Sequence, residues 1–303
     1  MAYLISNGVS VPHASGYKDM LATLKAFAEN NGWVTMRWVN STEMEWIAKG
    51  PGLSGTEHIY IGISTYSNPT SGIFNWRVAT FTDYVAENTF ATQPGATLKG
   101  IPLSNGIVRF WFILNAQRLI IAANVNGYPE MGYLGKYLPY ATPTEYPNPL
   151  CTAGMVDTQI WTRFDASQNY YYTSPFRGGN SVMSIRHPDG YLFTPKCWPL
   201  TNTSQGAYIR QEWENLSGYG YISAYYKFED SVADTAGKYP LLPVIITDTA
   251  AIWGELDGVY WLSRDGHRPD DIIQVEGVDH VVISDLPWSS LFAPHYYFLL
   301  RLS

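Results

Sequence analysis

The sequence predicts a mainly β protein, with an N-terminal α+β domain of one helix on an antiparallel sheet followed by a C-terminal β-sandwich. Three observations predict it. A single segment of the 303 residues has helical apolar spacing, many short runs alternate with period two, and Gly, Pro and Asn clusters separate them. Tyr, Trp and Thr, all abundant here, favour strands.

The helix is expected over Tyr17 to Asn30, where Met20, Leu21, Leu24, Phe27 and Ala28 fall on one face and Lys18, Lys25 and Glu29 point outward. Ser15 is the expected N-cap, and Gly32 stands where a left-handed residue ends a helix. The period then changes to two. Val34 to Val39 and Met44 to Ala48 read as a hairpin around Asn40-Ser41-Thr42. Glu57 to Ser64, Phe74 to Phe81, Ile107 to Leu114 and Arg118 to Val125 continue the pattern. The last two runs, joined by Asn115-Ala116-Gln117, are nearly all apolar and read as a central hairpin.

Residues 1–138 are thus expected to form the first domain. Pro139, Pro143, Pro147 and Pro149 make residues 139–149 a connector that is neither helix nor central strand. The interleaved Tyr140 and Tyr146 would dock it along a surface. Residues 150–303 are expected to form the sandwich. Ser181 to His187 and Tyr191 to Thr194 flank the turn Pro188-Asp189-Gly190. Further strands are expected over Gly220 to Phe228, Leu242 to Thr247, Gly258 to Ser263, Ile272 to Val275, His280 to Ser284 and Tyr296 to Leu302, with a turn at Asp265-Gly266.

Charged residues are 15% of the chain, against about one quarter in a typical globular protein. Much of the surface must therefore be Tyr, Asn, Thr, Ser and Gly, which suits lasting contact with other proteins and equally suits an ordinary β protein. The net charge is -7 and the basic residues are scattered, so no row of phosphates would be neutralised and nucleic-acid binding is not expected. The opening MAYLISNGVSVPH lacks the basic and apolar regions of a secretory signal, so synthesis in a cytoplasm is expected. The densest apolar run, Ile107 to Leu114, falls far short of the ~20 residues of a membrane helix. Cys151 and Cys197 are expected as free, buried thiols.

Signatures of nucleotide-binding loops, serine hydrolases and zinc peptidases are absent, and no two of the six histidines share metal-ligand spacing. A metal site from His187, Cys197 and a distant partner is one arrangement to test. Two acids 5 to 9 Å apart, roughly, would suffice for glycoside hydrolysis. The candidate pairs are Glu212 and Glu214 beside Trp213, and Glu255 and Asp257 beside Trp253, with solvated strand acids as the plainer reading. Sugar rings stack on exposed aromatic faces, and Tyr170, Tyr171, Tyr172, Trp198, Tyr219, Tyr221, Tyr225 and Tyr226 could supply them to a carbohydrate-binding adhesin.

Several strings resemble virion proteins of tailed bacteriophages: GYKDMLATLKAFAENNGW, VTMRW and EWIAKGPGLSGTEHIYIGIST early in the chain, NGIVRFWFILNAQRLIIAANV and GYLGKYLPYATPTEYPNPL in the middle, and GELDGVYWLS near the end. The resemblance implies a structural, non-enzymatic component of the neck, collar, tail or baseplate, located in the virion. It would work as a cyclic homo-oligomer with neighbouring phage proteins, without membrane contact. It carries no catalytic, cofactor-binding or metal residue across. No cofactor is expected.

Overall fold

Residues 1–140, 149–157, 174–177, 182–186, 191–198, 241–248, 251–263, 267–284 and 296–302 are described by the computed structural model. Within them the chain is mainly β, in three antiparallel sheets with one α-helix. Strand β1 (Ala2–Ile5) leads to helix α1 (Tyr17–Asn30). A five-stranded meander follows, from β2 (Val34–Val39) and β3 (Glu45–Gly50) through β4 (Ile59–Asn68) and β5 (Ile73–Phe81) to β6 (Thr97–Leu103). Next come β7 (Arg109–Leu114), β8 (Arg118–Val125), β9 (Tyr128–Lys136) and the short β10 (Leu138–Pro139). The rest of the chain supplies β11 (Leu150–Ala153), β12 (Met183–Arg186), β13 (Leu192–Phe193), β14 (Lys196–Trp198), β15 (Leu242–Thr247) and β16 (Ile252–Ser263), then β17 (Ile272–Val275), β18 (Val278–Ser284) and β19 (Tyr296–Arg301).

The second sheet is the middle layer, in the order β1-β7-β8-β9-β11-β12-β13. Alternation along β7 explains its place. Phe110, Phe112 and Leu114 join one core with Trp46, Ile61, Ile63, Trp76 and Val78 of the five-stranded sheet. Trp111 and Ile113, pointing the other way, join a second core with Val244, Ile246, Val259, Trp261 and Phe298 of the third sheet. That third sheet runs β14-β15-β16-β19-β18-β17, and β10 pairs with β16. The near-continuous apolar reading of Ile107 to Val125 is thus the mark of a hairpin covered on both faces, as expected. Each large side chain fully buried this way is worth about 1.5 to 3 kcal/mol.

Helix α1 occupies the layer between the five-stranded and middle sheets, with Phe27 stacked on Phe112 and Tyr17 tilted against Phe74. Its buried face is Tyr17, Met20, Leu21, Leu24 and Ala28, and Gly32 takes φ 87. The expected cap is corrected: Gly16 holds the N-cap position with no side-chain cap bond. Ser15 instead donates its backbone N–H and hydroxyl to Asp19, at 2.8 and 3.2 Å, and the Tyr17 N–H is taken by the Ser104 carbonyl at 2.9 Å. A tertiary carbonyl does the work of the cap.

The expected domain arrangement is corrected as well. Strands of the first half do not form one sheet, because the loop after β6 carries the chain from the five-stranded sheet into the middle one. Residues 139–149 do not separate independent sheets either. β9 before them and β11 after them are neighbours, with Lys136 opposite Leu150 and Tyr133 opposite Ala153. β11, β12 and β13 therefore complete the middle sheet. The β12–β13 pair matches the expected hairpin, Ile185 facing Phe193, while its turn at Pro188 to Gly190 lies outside the described residues. The expected strand over Gly220 to Phe228 and the turn at Asp265-Gly266 lie outside them too. No helix among the described residues is long and apolar enough to cross a membrane.

Candidate functional site

The loop joining β7 and β8 touches all three sheets. Asn115 shapes it, its Oδ1 accepting the backbone N–H groups of Gln117 and Arg118 at 2.9 and 3.0 Å. Toward the five-stranded sheet, the Asn115 carbonyl accepts the Trp33 indole N–H at 2.8 Å and the Ala116 carbonyl accepts the Gly52 N–H at 2.8 Å. Gly50 is required at this approach, since a Cβ there would meet the Ala116 oxygen and the Trp33 ring at 2.7 Å. Within the middle sheet, the Gln117 carbonyl accepts the Lys136 N–H at 2.9 Å.

Toward the third sheet the same loop delivers three side chains to Asp257. Its Oδ2 accepts from Asn115 Nδ2 at 2.6 Å and from Gln117 Nε2 at 3.2 Å, and it lies 3.4 Å from Nε of the wholly buried Arg118. The Asp257 N–H donates to the Tyr133 hydroxyl at 3.3 Å, which donates in turn to the Lys136 carbonyl at 2.6 Å. Gly258, at φ 78, lets β16 pass the guanidinium: a Cβ there would sit 2.4 Å from Arg118 Nη2. Burial first, and then the negative charge of Asp257, push the Tyr133 phenol well up.

The candidate acids Glu255 and Asp257 take different partners. Asp257 is buried and held by amides and a guanidinium, whereas Glu255 is half-buried and accepts from the Tyr140 hydroxyl at 2.8 Å. Burial, followed by the hydrogen bond to Glu255, pushes Tyr140 up to about 12. Trp253 packs on Phe193 with ring centroids 5.5 Å apart. The two acids serve separate bonds, Asp257 those from Asn115 and Gln117 and Glu255 that from Tyr140. Glu212, Trp213 and Glu214 lie outside the described residues, as do Tyr170, Tyr171, Tyr172, Tyr219, Tyr221, Tyr225, Tyr226 and His187. Trp198 is placed on β14. Cys151 and Cys197 are buried and unbridged in the core between the middle and third sheets. Burial pushes both thiols up, and Cys197 approaches Met183 sulfur to sulfur at 3.9 Å. Among the described residues no cluster of three His, Cys, Asp or Glu is placed to hold a metal ion.

The feature that sequence reasoning missed is at the sheet edges. Among the described strands, β1, β13 and β17 stand at sheet edges and carry no charged residue, although charge is the usual protection of an edge against pairing with another chain. In β2 the charge of Arg37 is committed to Glu45 at 2.8 Å, and in β6 that of Lys99 to Asp157 at 2.6 Å; β14 carries Lys196. Apolar side chains are exposed along these edges: Tyr3 on β1 (46%), Val34 on β2 (53%), Leu192 on β13 and Ile272 on β17 (51%). Val9 and Ile107 stand out on two loops at one end of the middle sheet, where Ala14 bridges Val108. The signal was available in the strings AYLI and IIQV, neither of which contains a charge.

No protein-family model matches this chain, and no curated protein matches it.

Proposed function

We propose that the protein is a structural component of a tailed-phage virion, in the neck, tail or baseplate, and that it acts through assembly with copies of itself and with adjoining virion proteins. One observation carries the assembly reading: among the described residues each of the three sheets has an edge strand, β1 and β13, β2, and β17, that is uncharged or charge-neutralised and exposes an apolar side chain. Strand edges of this kind template further pairing, and a closed ring uses them up. The phage setting rests on the resemblance of the strings quoted above. Asp257 and the amides of Asn115 and Gln117, at the centre of the described fold, support a structural role, because they are already hydrogen-bonded to one another.

Mass photometry of the full chain, alone and co-expressed with the products of its neighbouring genes, tests the reading. A symmetric multimer is expected in at least one of the two samples, and a strict monomer in both at micromolar concentration overturns it. Ile272→Lys and Tyr3→Lys charge two edges and should shift the multimer toward monomer with the far-ultraviolet circular dichroism unchanged.

A further inference from the structure

The contact between the five-stranded and middle sheets contains a carboxyl group for which the described residues supply no cation. Glu130 lies on β9 opposite Ala123 and is 3% exposed. Ala123 belongs to the core shared with the five-stranded sheet, as does Leu134 four residues further along β9, so Glu130 faces that sheet. Its Oε2 is buried without a hydrogen-bond partner.

The groups facing it account for this. From β4 and β5 come Ile61, Ile63, Trp76 and Val78, with Thr80 beyond them already bonded to Thr152 of β11 at 2.6 Å. From β6 come Ile101, Leu103 and Lys99, and Lys99 is paired with Asp157 at 2.6 Å. β8 offers Leu119, Ile121, Ala123 and Val125. At the other end of β9, Lys136 is paired with Glu57. Among the described residues Lys99 and Lys136 thus each have a carboxylate elsewhere, and Arg186 of β12 is turned to the Gly95 carbonyl and, at 3.3 Å, the Thr97 hydroxyl.

We propose that Glu130 is a proton-dependent lock between these two sheets: the neutral acid lets them pack, and loss of its proton loosens the contact. An ionised carboxylate here would bury Oε2 with neither counter-charge nor donor among the described residues, which a protein interior does not tolerate without cost. Burial alone raises the group well above the ordinary glutamate range, consistent with the geometry. Below about pH 4.3, the ordinary glutamate value, folded and unfolded chains both hold the proton and the acid costs nothing. Above it the unfolded chain releases the proton while the folded one keeps it. Stability therefore falls as pH rises, until the folded group ionises as well.

The test compares chemical unfolding of the full chain with that of Glu130→Gln, which keeps the shape and cannot ionise, from pH 4.5 to 8.5. The ratio of the two unfolding constants should grow by up to about tenfold per pH unit in the natural protein's disfavour. A ratio that stays constant over this range overturns the proposal. Should the glutamine variant fail to fold, Glu130→Met serves the same comparison. Infrared spectra of protein carrying 13C-labelled glutamate give an independent reading: a protonated glutamate band is expected at pH 7, and its absence overturns the proposal equally.

Discussion

The middle sheet has two covered faces, and each buries one acid in a different setting. Against the third sheet, Asp257 is surrounded by Arg118, Asn115 and Gln117, so ionised groups are kept and matched. Against the five-stranded sheet, Glu130 Oε2 has no such company among the described residues. An ion taken out of water costs several kcal/mol unless partners replace the solvent. The difference teaches where each interface is vulnerable: one to the loss of a partner, the other to the loss of a proton.

The largest expected effect comes from breaking the matched face. Asp257→Ala leaves the Arg118 guanidinium buried and unpaired, and should cost about 3 to 5 kcal/mol in urea unfolding. Replacing both residues together, Arg118→Met with Asp257→Leu, should recover most of that loss. A single variant as stable as the natural protein would show that the cluster anchors nothing. Next in size is Gly258→Ala. It forces a side chain into φ 78 and toward Arg118 Nη2, and should lower stability by about 1 to 3 kcal/mol, read as a fall in Tm.

The smallest effect probes a neutral contact on the other face. Thr80 and Thr152 are both buried with their hydroxyl oxygens 2.6 Å apart. Thr152→Val should cost about 1 to 2 kcal/mol by stranding the Thr80 hydroxyl, whereas the double change to valine should fall close to the natural protein. A double variant that loses as much as two independent sites would mean that packing, and not the hydrogen bond, sets the value of this pair.

How far the fold could be read ahead follows from what each signal encodes. Helix α1, β2, β8, β15 and β17 were legible to the residue or nearly so, because apolar period and turn chemistry are local. β9 was overlooked, although Asn126-Gly127, with φ 54 and 90, is a two-residue hairpin turn that announces a strand after β8. Its own string, YPEMGYLGK, hides the pattern behind a proline, two glycines and a buried acid. Pairing was legible only within short hairpins, β2–β3, β7–β8 and β12–β13, and not between strands distant in sequence. Period two says that a strand has two faces, and beyond a short turn it does not say which neighbour lies beside it. Proline-rich residues 139–149 suggested a boundary because proline breaks local pairing, yet the strands on either side still find each other. Asp257 and Glu255 were singled out as a pair by their i, i+2 spacing. The register of β16 against β15 shifts between Pro243 and Ile245, and regular alternation does not survive that shift.

The sharing of the middle sheet between both halves of the chain has a consequence for how the protein is made. A growing polypeptide that has reached residue 136 already contains β7, β8 and β9, whose Trp111, Ile113, Ile120 and Tyr133 await residues as late as Leu300. At roughly 5 to 20 residues per second, translation leaves that greasy face naked for on the order of ten seconds or more. Shielding by a ribosome-associated chaperone is therefore most useful during this interval, and a premature stop past mid-chain yields a sticky fragment instead of a smaller working protein.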